Sequence, residues 1–167
     1  MKNLLIVYHS QSGNTEQLAQ AVLVGCQQEA EVNSKLVGAF DAMLEDLIWS
    51  DGLLFGTPEN FGTMSGALKD FFDRTYYSAQ PHELNLAYAL FISAENDGTG
   101  AVRDIDRIAK GYPLRKISEP LIATGAIKPK HLQQAEEFGQ AMAAGLALEI
   151  FRPQLFKQGI AKQCPEL

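Results

Sequence analysis

The sequence predicts a three-layer α/β/α sandwich on a five-stranded parallel sheet of order 2-1-3-4-5. Three observations carry this prediction. Short apolar runs of β-forming residues alternate with helically periodic segments along nearly the whole chain. Most of those runs are continuous, as in strands covered on both faces. The chain has 167 residues, 46% of them apolar, which suits one soluble domain. Right-handed crossovers leave few ways of joining five such units, and 2-1-3-4-5 leads among them.

Leu4–Leu5–Ile6–Val7–Tyr8 reads as the first strand, broken at Ser10–Asn14. Leu18, Ala19, Val22 and Leu23 then recur at helical spacing, giving a helix over 14–29. Val32, Ser34 and Leu36 alternate with polar residues, as in a half-exposed second strand, and a short helix near 41–48 follows. Gly52–Gly56 is a third strand, expected to stop at Thr57–Pro58. Ala67, Leu68, Phe71, Phe72 and Thr75 mark a third helix, and 86–92 a fourth strand. Val102, Ile105, Ile108 and Ala109 give a helix expected to end on Gly111 as a C-cap. Leu121–Ala123 is the fifth strand, and Leu132, Ala135, Phe138, Met142 and Leu146 form a long last helix behind Pro129. Residues 1–167 form a single domain, with an irregular tail over 152–167 that carries Pro153 and Pro165.

Charge and composition exclude several classes. Against 14 Lys and Arg stand 20 Asp and Glu, a net charge of −6. A mildly acidic surface argues against nucleic acid or an anionic membrane as partner. Cys26 and Cys164 are too few for a disulfide framework and form no metal-ligand pair, so ordinary thiols are expected and no metal. No apolar run approaches the roughly 18–20 residues of a membrane span, and Leu4–Tyr8 is too short for a signal segment. A cytoplasmic location is the expectation.

In open α/β sheets ligands bind beyond the carboxyl ends of the strands, near the switch point. The loops after the first, third and fourth strands meet there. The first, His9-Ser10-Gln11-Ser12-Gly13-Asn14-Thr15, joins a buried strand to a helix N-terminus. Backbone amides and the positive end of the helix dipole favour an anion there. Ser10, Ser12, Asn14 and Thr15 add short neutral donors, making a phosphate cradle without a cation. Ordinary capping needs only one such residue. The second loop, Thr57-Pro58-Glu59-Asn60-Phe61-Gly62-Thr63, offers a ring for stacking and polar groups for a ring edge. The third, Ser93-Ala94-Glu95-Asn96-Asp97-Gly98-Thr99-Gly100, is small, polar and glycine-rich. Each of the latter two also reads as a plain turn. No GxxxxGK[ST] is present, no GxGxxG follows the first strand, and no Asp ends the third. Nucleotide triphosphate hydrolysis, a pyrophosphate-bridged dinucleotide and a phospho-acceptor receiver are thereby disfavoured.

Residues 6–22, IVYHSQSGNTEQLAQAV, resemble the flavodoxin phosphate-loop signature, with Ser10, Ser12, Gly13, Asn14, Thr15 and Glu16 in its pattern. Residues 55–75, FGTPENFGTMSGALKDFFDRT, resemble one branch more closely: the flavodoxin-like NAD(P)H:quinone oxidoreductases of the tryptophan-repressor-binding-protein type. The resemblance spans roughly residues 3–150 and implies a flavodoxin-like fold and FMN as cofactor. It places the phosphate on Ser10, Gln11, Ser12, Gly13, Asn14 and Thr15. It sets the isoalloxazine between Thr57, Pro58, Glu59, Asn60, Phe61, Gly62 and Ser93, Ala94, Glu95, Asn96, Asp97, Gly98. Phe61 is the single aromatic residue of the two ring loops, so one ring face is expected to be open to a nicotinamide. Residues 93–112 lack the histidine usual in that branch, so no proton donor and no catalytic side chain is assigned. Glu59, Glu95 and Asp97 stand either near the ring or on a solvated surface.

The expected function is an FMN-dependent oxidoreductase that passes electrons from NAD(P)H to a small acceptor. The alternative is an electron carrier docking on protein redox partners. A third reading is an interaction protein using the tail. A homo-oligomer is compatible with the chain. His9 either faces the ligand or is structural; His82 and His131 are expected at the surface; Trp49 is expected to pack. Tyr76 or Tyr77 either packs or lines the ring site or an interface.

Overall fold

The structure, a computed structural model, describes residues 1–152. All but Arg152 of the expected tail lies outside the described residues, and so does Cys164. The elements run β1 (Lys2–Tyr8), α1 (Asn14–Cys26), β2 (Val32–Gly38), α2 (Leu44–Trp49), β3 (Gly52–Asn60), β4 (Thr63–Met64) and α3 (Gly66–Ala79). After a short 3₁₀ turn follow β5 (Ala87–Ala94), α4 (Thr99–Ala109), β6 (Arg115–Lys116), β7 (Leu121–Thr124) and α5 (Pro129–Ala147).

The parallel sheet runs β2-β1-β3-β5, and β6 and β7 both pair with the far side of β5. This is the expected order, with the fifth position filled by two pieces. β6 pairs with Ala87 and Tyr88, whereas β7 pairs with Phe91 to Ala94. Pairing lapses over residues 117–120: the Ile117 amide still donates to the Tyr88 carbonyl at 3.1 Å, but Pro120 has no N–H to give to a ladder. The sheet therefore counts seven strands rather than five, the other addition being β4.

The third strand does not stop at Pro58. Pro58 is its last residue in register with β5, opposite Ser93, and Glu59 and Asn60 go on to pair antiparallel with β4. One missing N–H ends one ladder and leaves the next intact. Gly111 is not the C-cap of α4 either. The helix ends at Ala109 with Lys110 as cap, and the Gly111 amide donates to the Ile108 carbonyl in an ordinary right-handed turn.

Both sheet faces are covered, as the continuous apolar runs require. Leu5, Val7, Leu53, Phe55, Leu90 and Ile92 are buried with Leu68, Phe71, Phe72 and Ile105 of α3 and α4. Leu4, Ile6, Leu54 and Phe91 are buried on the other face with residues of α1 and α5. Phe55 and Phe72 meet edge to face at 5.1 Å between centroids. Each fully buried Leu or Phe contributes about 1.5–3 kcal/mol. Helices α1 and α5 touch backbone to backbone: a Cβ on Gly25 would lie 1.9 Å from the Glu136 carbonyl oxygen, and one on Gly139 2.1 Å from that of Val22. Between them the Cys26 thiol donates to the Gly139 carbonyl at 3.3 Å, and burial pushes its pKa up to about 12. Among the described residues it has no disulfide partner, and a thiol so buried is a poor nucleophile.

Trp49 packs against the α3–α4 core, as expected, and His82 is exposed. His131 is not a surface residue. It is buried in the first turn of α5, where its Nδ1 accepts from the Lys128 amide at 3.3 Å. No described helix is long and apolar enough to cross a membrane.

Candidate functional site

The parallel register brings three strand ends side by side. Tyr8 lies opposite Gly56, and Gly56 opposite Phe91. The loops that follow therefore open at one edge, astride the switch between β1 and β3. Gly56 must be glycine, because a Cβ there would lie 2.1 Å from the Phe91 ring.

The first loop turns sharply on Gly13, whose φ of +94° lies in the left-handed region. Gly13 is the N-cap of α1, and no side chain caps that helix. Simple capping therefore does not explain the polar residues of this loop. Ser10 Oγ accepts from the Gly13 amide at 3.1 Å. The amides of Ser12, Asn14, Thr15 and Glu16 find no acceptor among the described residues. They are the unpaired donors at the positive end of a thirteen-residue helix, the arrangement that binds an anion. Gln11 and Ser12 are exposed at its mouth.

Thr15 has a different task from the one expected of its side chain. It is buried, and its hydroxyl shares a 2.8 Å hydrogen bond with that of Ser93, also buried, at the end of β5. The pair ties the cradle to the third loop.

In the second loop, Thr57 is fully buried. Its Oγ1 accepts from the Ser65 amide at 2.9 Å and donates to the Pro58 carbonyl at 2.9 Å. Beyond half-buried Pro58, Glu59 and Asn60 the chain reverses at Phe61 and Gly62, with φ of +52° and +73°. Two successive left-handed residues make a tight two-residue hairpin. The Phe61 side chain is wholly exposed at its tip.

Glu59, expected at a ring edge, has one carboxylate oxygen engaged within the fold. Its Oε2 accepts from the amides of Gly100 and Ala101 at 2.9 and 3.1 Å, capping α4 from across the crevice. Thr63 Oγ1 donates to Asp104 Oδ2 at 2.5 Å, and that bond, before the nearby arginines, holds the Asp104 carboxyl below its usual range. A Cβ on Gly100 would lie 2.0 Å from the Gly62 carbonyl oxygen. Hairpin and helix are thus latched together.

In the third loop, Ser93 and Ala94 still belong to β5 and are buried, whereas Glu95, Asn96 and Asp97 are exposed. Asp97 Oδ1 accepts from the amide and hydroxyl of Thr99 at 2.9 and 2.7 Å. Those bonds, the amide's first, lower its carboxyl pKa. Gly98 follows with φ +70°.

One contribution at this edge escaped sequence reasoning. Phe40, in the loop after β2, is 65% exposed and meets the His9 ring edge-on at 5.7 Å. Its only sequence signal is an aromatic residue inside a turn segment, Gly38-Ala39-Phe40-Asp41. His9 itself lies half-buried beside the cradle, with its amide on the Gly56 carbonyl at 3.0 Å. Its Nδ1 has no partner among the described residues, and burial lowers its pKa. Tyr76 and Tyr77 sit at the far end of α3, away from this edge; Tyr76 packs against Tyr112, and Tyr77 is exposed.

Fold and site together define a flavodoxin-like α/β protein in which, among the described residues, the first-turn amides of α1 stand unpaired at the switch point. The family model described as NADPH-dependent FMN reductase matches residues 14–109, and the chain belongs to that family. A NAD(P)H dehydrogenase (quinone) of Archaeoglobus fulgidus is 32% identical over 174 residues, covering 89% of each chain. A flavodoxin of Aquifex aeolicus is 36% identical over 73 residues, 44% of this chain. The match spans 40% of that relative's length, and 47–48% of several other curated relatives. Among solved structures, a WrbA-like flavodoxin from Agrobacterium tumefaciens superposes with a TM-score of 0.73 at 21% identity. It covers 89% of this chain and 99% of that one, a likeness of fold.

Proposed function

We propose that this protein binds FMN and passes reducing equivalents from NAD(P)H to a small acceptor. The observation that carries the reading is the uncapped N-terminus of α1, where the amides of Ser12, Asn14, Thr15 and Glu16 converge without a cation. A cradle of neutral donors suits the single phosphate of a mononucleotide. Ser10, Gln11, Ser12, Gly13, Asn14 and Thr15 hold that phosphate in this reading. Thr57, Pro58, Glu59, Asn60, Phe61 and Gly62 flank one side of the ring, and Ser93, Ala94, Glu95, Asn96, Asp97 and Gly98 the other. FMN supplies the hydride-accepting and electron-donating chemistry, so no side chain need act covalently.

The chain's own work is positioning. The Thr15–Ser93 bond sets the distance between cradle and third loop. The Glu59 latch and the buried Thr57 keep the second loop from collapsing into the crevice. Rigid support of this kind holds reacting atoms in register. The cytoplasm is the proposed compartment, supported by a sequence with only two cysteines, too few for a disulfide framework. A homo-oligomer remains part of the proposal. The electron-carrier reading is kept beside it, favoured by the Aquifex flavodoxin match.

Anaerobic addition of NADPH, then NADH, to FMN-loaded protein separates the two. Rapid bleaching of the flavin absorbance is expected. An oxidised spectrum that persists with both nucleotides would rule out the reductase and leave the carrier.

A further inference from the structure

The mouth between the two ring loops is acidic. Glu95 and Asp97 are exposed there, Glu59 is half-buried, and neither 57–62 nor 93–98 contains a lysine or arginine. A nicotinamide dinucleotide carries its charge on phosphates, which this mouth repels. Those phosphates need cations at some distance from the ring.

The groove between α3 and α4 supplies them. It consists of two adjoining hollows of about 450 and 500 Å³ that share Lys69, Arg107 and Ile108. One end is the second loop itself, at Asn60 and Phe61, and the other is formed by Tyr76 and Tyr77. From Gly66 to Tyr77 the α3 axis rises about 16 Å at ~1.5 Å per residue, room for an extended dinucleotide. Lys69 on α3 and Arg107 on α4 line both hollows midway.

Each cation now faces an acid of its own helix. Lys69 pairs with Asp73 at 2.6 Å, and Arg107 with Asp104 at 3.2 Å. Both pairs are surface pairs three or four residues apart, worth about 0–1 kcal/mol. Asp104 is also engaged by the Thr63 hydroxyl. A pyrophosphate that accepts charge-assisted bonds from both cations, one a planar guanidinium, offsets that small loss. At the far end Tyr77 is 79% exposed and meets Tyr76 edge to face at 5.3 Å, an aromatic shelf for a purine.

We propose that the α3–α4 groove binds the adenosine-phosphate half of the nicotinamide donor. Lys69 and Arg107 hold the phosphates, Tyr77 stacks on the adenine, and the nicotinamide enters past Phe61. This rests on the reductase reading above.

The test is calorimetric titration of ADP and 2′,5′-ADP into FMN-loaded protein, with NAD(P)H kinetics alongside. The double variant Lys69→Gln/Arg107→Gln is expected to bind ADP at least tenfold more weakly. Its KM for NAD(P)H should rise by a similar factor at unchanged kcat, the signature of lost ground-state binding. Tyr77→Ala should weaken ADP several-fold and Tyr77→Phe should not. These side chains are exposed, so an unchanged unfolding midpoint verifies the fold. ADP affinity equal in wild type and double variant, or no ADP binding to wild type, overturns the proposal. Bleaching by NAD(P)H with a KM insensitive to the double variant defeats the groove and leaves the reductase. ADP binding lost in the double variant, with no bleaching by either nucleotide, keeps the groove and defeats the reductase. A shift from oligomer to monomer at unchanged ADP affinity would make the groove an interface between copies and end the proposal.

Discussion

Helices α1 and α4 begin alike and end up with opposite properties. Each follows a buried parallel strand and starts on a glycine with positive φ, Gly13 at +94° and Gly98 at +70°. Neither N-cap residue has a side chain to cap with. Yet among the described residues nothing pairs with the first-turn amides of α1, whereas those of α4 are closed by Glu59 from 41 residues away and by Asp97 from its own loop. A helix N-terminus is thus only a potential anion site. In the proposed reading α1 serves as the cradle because, among the described residues, no side chain reaches its first-turn amides.

The largest effect should come from giving α1 the plug that α4 has. Ser12→Glu sets a carboxylate among the open amides, where it competes with phosphate. FMN affinity, read by quenching of flavin fluorescence, is expected to fall at least a hundredfold, about 2.7 kcal/mol. The unfolding midpoint should hold or rise, since the helix gains a cap.

Moving α1 as a whole comes next. Gly139→Ala forces a methyl group against the Val22 backbone. A loss of roughly 1–3 kcal/mol is expected by denaturant titration. FMN binding should weaken with it, because the cradle rides on α1, whereas amide exchange in the first turn of α4 should stay as it is.

Unplugging α4 is a smaller perturbation. Glu59→Ala leaves the Gly100 and Ala101 amides unpaired and should cost about 0.5–2 kcal/mol, like the loss of an N-cap. Glu59→Gln retains an acceptor and should cost less. Faster hydrogen exchange at Gly100 and Ala101 in the alanine variant is the direct readout. Unchanged exchange there would mean that the latch does not hold the terminus.

The smallest effect is a pH dependence that α4 should show and α1 should not. The Asp97 carboxyl is lowered by its bonds from Thr99, and Asp104 chiefly by Thr63. A depressed carboxylate pKa adds stability above the unfolded value, near ~3.9, and that stability fades as pH falls through the folded value. The Thr99 amide resonance should therefore titrate below about pH 4. Asp97→Asn should abolish that titration, and the amides of α1 should not show it.

Much of this was legible because it is local. Continuous apolar runs mark strands buried on both faces, and every helix expected from periodicity is present. The first loop suggested an anion site by its glycine and its short polar residues, and its amides have no partner among the described residues. Gly111 misled because a glycine after a helical pattern can cap or simply follow it. Pro58 misled because a proline ends one ladder without ending the strand.

The sequence by itself determined the order of elements, the covered sheet and the loop at the switch point, since periodicity and turn chemistry act over a few residues. Tertiary structure alone decided how the polar residues divide. Glu59 became a cap for Gly100, Thr15 a partner of Ser93 across 78 residues, and His131 a buried residue. A short polar side chain bonds whatever donor packing brings within about 3 Å. Which donor that is depends on how distant strands are registered, and no local pattern encodes it.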